Sequence, residues 1–171
     1  MRLLALLLWS VTACAQGPNV DPPKGPAPAL GMTLPHVRLH DVRQHPFDLM
    51  KVDTPVLVIN LWAFWCDTWK QQLPQLRELS TQQEQLGFRL VAVSIDGAWG
   101  DVFWEHCGEK GLPFPVLVDG RRELATRLKV RCVPTVLVLD RERRIRRVHE
   151  AYPGNPTVLR SIREVASESA E

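Results

Sequence analysis

The sequence predicts an α/β domain in which a mixed central sheet carries helices on both faces. Three observations point there. Two long, mostly apolar, β-branched runs, over residues 55–62 and 88–96, read as strands buried on both sides. Amphipathic segments of helical period separate the extended runs. The chain then closes with a hairpin pattern and a terminal helix.

In chain order, His36 to His40 alternates apolar and polar residues and predicts a short edge strand leading into the domain. Residues 55–62 form the first central strand, ending at Ala63-Phe64-Trp65-Cys66. A helix follows over about residues 67–86. Trp69, Leu73, Leu76 and Leu79 or Ser80 share one face, and Pro74 predicts a kink. Residues 88–96 give the next buried strand. Residues 100–110 suit a helix stopped at Gly111, a residue fitted to a left-handed C-terminal cap. Residues 114–119 form a short extended segment, and 121–128 a helix. Residues 135–140 and 145–149 pair as a hairpin, and about 156–166 form the last helix.

With 171 residues, of which 45% are hydrophobic and 23% charged, the chain suits one globular domain and not two. The formal charge is only +2. The densest basic run, Arg141 to Arg147, is interrupted by Glu142 and Ile145 and reads as a solvated hairpin turn and edge strand. A polyanion or lipid-headgroup patch is the alternative; nucleic acid is not indicated.

The first residues set the compartment. Arg2, the apolar stretch of residues 3–9 and the small residues up to Ala13 describe a secretory signal over residues 1–13. The apolar stretch is far shorter than the roughly 20 residues that span a bilayer. Val11-Thr12-Ala13-Cys14 resembles a bacterial lipobox, which makes Cys14 the expected lipidation site; a buried or disulfide-bonded Cys14 is the alternative. Residues 14–30 then carry Pro18, Pro22, Pro23, Pro26 and Pro28 with little to bury, a composition for an extended tether. Residues 31–171 are the folded domain. Removing residues 1–13 deletes one basic side chain, Arg2, from 21, leaving 20 against 19 acidic ones, so the mature chain is close to neutral.

Trp62-Ala63-Phe64-Trp65-Cys66 resembles the thioredoxin superfamily pattern of buried strand, W-A-x-W-C and helix. Pro74 matches the proline that this family places eight residues after its first cysteine. Val130 to Thr135 is similar to the family's cis-proline loop, with Pro134 as the proline. The strands at 88–96 and 114–119, the central insertion between them, and Asn60 where many thioredoxins carry a buried aspartate resemble the TlpA/ResA-like branch. The likeness covers about residues 31–165. It implies a thioredoxin-like fold, a TlpA/ResA-type central insertion and thiol–disulfide exchange with a protein or small-molecule thiol or disulfide. It implies no cofactor and no metal. It also implies a place in the bacterial cell envelope, lipid-anchored and facing the periplasm.

Two departures from that family matter. The motif is Cys66-Asp67-Thr68-Trp69, so the attacking cysteine survives and the resolving one is tryptophan. Cys132 stands where the family has glycine, two residues before the cis-proline. A thiolate is the attacking species in disulfide exchange. The nearby helix start favours a Cys66 thiolate, while the adjacent Asp67 opposes it. Trp69 cannot resolve a mixed disulfide. Resolution then falls to an outside thiol or to another cysteine of the chain, or else the fold only binds. If the cis-proline loop packs as in the family, Cys132 is the candidate partner of Cys66; a small residue filling the glycine site is the alternative. Cys107 reads as a packing cysteine.

Trp69 is either core or, with Trp62 and Trp65, one side of a groove for an extended peptide, with Val133 and Pro134 as the other wall. His36, His40 and His45 lack accompanying ligands and read as surface histidines. A peroxidase would want threonine where Ala63 stands. Two classes therefore compete: an oxidoreductase acting through Cys66, with or without Cys132, and a redox-silent binding module. Burial of the Cys66 sulfur beneath an indole would favour the second.

Overall fold

A computed structural model describes residues 28–96 and 111–168. Cys14, the signal stretch, nearly all of the tether, Cys107 and the helix expected over residues 100–110 lie outside the described residues. The mixed sheet is seven-stranded, in the order β2-β1-β5-β4-β3-β6-β7. Its strands are β1 (Leu39–Asp41), β2 (Pro46–Phe47), β3 (Val56–Trp62), β4 (Phe88–Ser94), β5 (Val116–Val118), β6 (Thr135–Leu139) and β7 (Ile145–Glu150). β3, β4 and β5 run parallel, while β1, β2, β6 and β7 pair antiparallel. All seven residues of β3 are buried, as its mostly continuous hydrophobicity, broken only by Asn60, predicts.

The alternation of side chains along β3 builds two cores. Leu57, Ile59, Leu61 and Ala63 point to one face, with Leu124, Leu128, Leu49 and Cys66. Val56, Val58 and Trp62 point to the other, with Trp69, Leu76, Leu79, Val158 and Ile162. The second face is covered by α1 (Trp69–Ser80) and by the last helix, α4 (Asn155–Glu168). The first is covered in part by α3 (Glu123–Arg127) and a 3-10 turn at Leu49–Lys51. Asp119 caps α3: its carboxylate accepts from Leu124 N at 3.2 Å and Ala125 N at 2.9 Å. Burial pushes that carboxyl up from its usual range, against the pull of these N–H donors.

Local differences from the sequence reading have identifiable causes. The edge strand begins at Leu39 and not His36, and a two-residue partner, β2, faces it. Asp41 organises the turn between them, accepting from Arg43 N at 2.8 Å and His45 N at 2.9 Å. The segment expected as one helix over residues 67–86 is two, α1 and α2 (Gln83–Leu86), and Pro74 lies inside α1 without ending it. The break comes after Ser80. There Ser80 and Thr81 turn their hydroxyls back onto the carbonyls of Arg77, at 2.7 Å, and Glu78, at 2.8 Å. Gly87, at φ 64°, closes α2 in the left-handed conformation.

The basic run at 141–147 is internally committed. Arg143, 6% exposed, donates to the carbonyls of Thr54, Val52, Asp140 and Arg141, and burial lowers its pKa. Arg146 and Arg147 pair with Glu168, and Arg147 also with Glu164. These contacts favour the hairpin reading of the run over a patch for polyanions. His36 meets Asp48 and His45 meets Asp41. No helix of the described residues is long and apolar enough to cross a membrane.

Candidate active site

The register of the parallel pair fixes the site. Trp62 lies opposite Ser94, so the chains leaving β3 and β4 emerge side by side at one sheet end. There Phe64 N donates to Asp96 Oδ2 at 2.6 Å, and Ser94 Oγ donates to the other carboxylate oxygen. Asp96 thus holds the loop that carries Cys66. Sequence reasoning missed it; the signal was its place two residues past the end of a strand parallel to β3.

Cys66 folds into a tight turn, with its N–H on Ala63 O at 3.2 Å and its carbonyl accepting from Trp69 N at 3.1 Å. α1 starts at Trp69, so Cys66 sits two residues ahead of the N-cap, Thr68, rather than directly at the helix start. The sulfur is a free thiol, and the residue is 3% exposed. It has two polar neighbours. Val133 O lies 3.6 Å away and accepts the S–H; Thr68 Oγ1 lies 3.0 Å away. Either the thiol or the Thr68 hydroxyl can donate in the closer contact; once the sulfur ionises, the hydroxyl is the donor. Thr68 makes no side-chain capping bond to α1, the usual task of threonine at an N-cap. Its role at sulfur was not legible in the sequence.

The loop opposite is the cis-proline loop that the resemblance implies: the Val133–Pro134 peptide bond is cis. It is held on three sides. Thr135 Oγ1 donates to Cys132 O at 2.7 Å, Ala151 N to Pro134 O at 2.9 Å, and Arg131 Nε to Glu150 Oε1 at 2.8 Å.

Three expected groove residues are not groove walls in this conformation. Val133 and Pro134 are buried, Val133 within the Cys66 core cluster. Trp69, 5% exposed, packs on the other face of the sheet, with ring centroids 5.6 Å from Trp62 and 4.8 Å from Phe64. Its apolar ring is the first residue of the buried stripe of α1, and that stripe takes it inward. Trp65 remains half-buried beside Cys66, and its Nε1–H is buried without a partner among the described residues. On the Trp69 side of the sheet, Gln72 Nε2 donates to Asn60 Oδ1 at 2.7 Å, filling with two amides the place where the resemblance puts an acidic group.

Cys132 is the expected partner of Cys66. It is disulfide-bonded, and Cys66 is free, so the two are not bonded to each other and Cys132 offers no thiol to resolve an adduct in this oxidation state. The physical reason is that disulfide formation has already consumed its sulfur's nucleophilic form. The expected metal question is equally local: among the described residues no group of three or more His, Cys, Asp or Glu could hold an ion.

A free thiol at a strand-to-helix turn, facing a cis-proline loop across a mixed sheet with helices on both faces, defines a thioredoxin-like protein with α/β architecture. The chain belongs to the Redoxin family, whose model matches residues 29–162. It is 30% identical over 164 residues to the thiol:disulfide interchange protein DsbE of Escherichia coli strain K12, covering 92% of this chain and 83% of that one. It is 25% identical over 123 residues to the thiol-disulfide oxidoreductase ResA of Geobacillus kaustophilus, covering 71% and 70%. Among solved structures, the pneumococcal exposed lipoprotein thioredoxin Etrx1 of Streptococcus pneumoniae superposes with a TM-score of 0.66 at 21% identity. That match spans 76% of this chain and 99% of Etrx1.

Proposed function

We propose that this protein is a thiol–disulfide oxidoreductase of the bacterial cell envelope that acts through Cys66 as its single motif thiol. The carrying observation is the free Cys66 sulfur, set between the Thr68 hydroxyl and the Val133 carbonyl at the cis-proline loop. Relatives that are thiol–disulfide oxidoreductases by name support it.

The chemistry follows from the residues present. The Cys66 thiolate attacks a substrate disulfide, forming a mixed disulfide and releasing one substrate thiol. Thr68 donates to the sulfur as it ionises, while ionisation gives up the bond to Val133 O. Trp69 cannot complete the cycle, so an outside thiol attacks the adduct, frees Cys66 and carries away the substrate sulfur. Because Cys66 is 3% exposed, the loop around it must open before an outside substrate arrives.

On this reading the domain, residues 31–171, follows a signal over 1–13 and a tether over 14–30 lipidated at Cys14. That organisation holds the site off a membrane facing the periplasm. A glutathione-exchange or insulin-reduction assay on the wild type and Cys66→Ser tests the reading, with abolished activity in the variant expected. Equal rates would leave the second reading, a redox-silent module that binds a peptide or thiol partner. The burial of Cys66 and the replacement of the resolving cysteine by a core tryptophan favour that alternative.

A further inference from the structure

The buried Cys66 sulfur sits between the turn over residues 63–68 and the cis-proline loop, and a substrate reaches it only if one of them yields. We infer that the 63–68 turn swings out while the cis-proline loop stays, and that Asp96 is the latch that sets how often it does. Asp96 is then a positioning residue for the thiol, acting on access and not on ionisation. This deepens the reading of Cys66 as the nucleophile.

Anchoring separates the two loops. The cis-proline loop is tied on three sides, through Thr135, Ala151 and the Arg131–Glu150 pair. It also leads straight into β6, which is buried along its whole length. The 63–68 turn is held mainly by bonds local in sequence, from Cys66 N to Ala63 O at 3.2 Å and from Trp69 N to Cys66 O at 3.1 Å. Bonds of that kind travel with the turn. Its main-chain bond to a distant residue runs from Phe64 N to Asp96 Oδ2 at 2.6 Å.

The acceptor end of that bond is fixed. The other carboxylate oxygen of Asp96 accepts from the hydroxyl of Ser94, which is fully buried. The preceding residue is pinned as well: Ile95 N donates to Trp62 O at 3.0 Å, and Arg122 Nε donates to Ile95 O at 3.2 Å. Swinging the turn out breaks the Phe64–Asp96 bond and the contact of Cys66 Sγ with Val133 O. The second is slight, because a thiol is a weak donor. The first ends on a carboxylate, and such a bond shifts an opening equilibrium about tenfold or more. The Phe64 ring, packed on Trp62 and Trp69, restrains the turn equally in all the variants below.

The test follows N-ethylmaleimide labelling of Cys66 in the native full-length protein across a pH series, with peptide mapping to assign the site. Asp96→Ala should label about tenfold or more faster than wild type, by the same factor at every pH. Asp96→Asn keeps an oxygen that accepts from Phe64 N and should recover most of the protection. Arg143→Lys weakens the fold at the opposite end of the sheet, beside Thr54, and should leave labelling unchanged. Amide exchange at Ala151, the donor to Pro134 O, should be the same in Asp96→Ala and wild type. Should Asp96→Ala fail to fold, Ser94→Ala replaces it, with a smaller acceleration expected.

The latch is overturned if the alanine variants label at the wild-type rate, or if Asp96→Asn is as fast as Asp96→Ala. Equal acceleration in Arg143→Lys, or faster Ala151 exchange, overturns it too. So does a factor that shrinks toward high pH, which would assign Asp96 to ionisation of the thiol. Glutathione exchange run in parallel keeps the two readings apart. Faster labelling with no glutathione adduct on Cys66 in any variant sinks the redox reading and leaves the latch standing.

Discussion

Replacing Thr68 with valine should slow Cys66 chemistry without disturbing the fold. Valine is nearly isosteric with threonine, and Thr68 makes no capping bond to α1, so helix stability has little to lose. What is lost is the hydroxyl 3.0 Å from the Cys66 sulfur, the group able to donate to it once it ionises. A hydrogen bond contributes about 0.5–1.5 kcal/mol when both partners are neutral and about 1.5–3 kcal/mol when one is charged. Only the difference between the two changes the thiolate population. That difference is about 1–1.5 kcal/mol, or roughly a five- to tenfold loss of thiolate at neutral pH. Stopped-flow alkylation with iodoacetamide across a pH series reads it directly. The variant should lag at neutral pH and rejoin the wild type at high pH, where both are fully ionised. Thr68→Ser should restore the wild-type profile. A Thr68→Val profile that overlays the wild type, or a Thr68→Ser protein as slow as the valine variant, would show that the hydroxyl does not serve the sulfur. A uniform change at every pH would instead mean altered access.

Trp69→Cys rebuilds the two-cysteine motif at a structural cost. Deleting the indole that packs on Trp62 and Phe64 should cost about 3 kcal/mol, read by urea unfolding of the reduced protein, while the variant gains a disulfide to Cys66 visible by non-reducing mass spectrometry. Arg143→Lys should destabilise by about 2 kcal/mol in the same assay, because an ammonium cannot reach the set of carbonyls that the planar guanidinium serves. His149, whose pKa is lowered by burial and then by Arg147, should make stability pH-dependent. The unfolded chain binds that proton more readily, so stability is complete above about pH 6.5 and falls as the pH drops toward the folded value. In thermal melts His149→Gln should flatten that slope.

Much of this protein was readable from one dimension. The mostly apolar, β-branched runs at residues 55–62 and 88–96 pointed to strands covered on both faces, and the W-A-x-W-C stretch with Pro74 and Pro134 located the thiol and the loop opposite it. Such features are local: side-chain period, backbone restriction at proline and motif spacing need no partner to be recognised. What lay beyond reach depends on contacts between distant residues. The register of β3 against β4 brought Asp96 to Phe64, and chain closure set Val133 O against the Cys66 sulfur, 67 positions away. The same closure left Cys66 reduced and buried while Cys132 was oxidised, a distinction that depends on which sulfurs approach within bonding distance. Composition names the candidate atoms; only the packed sheet decides which of them meet.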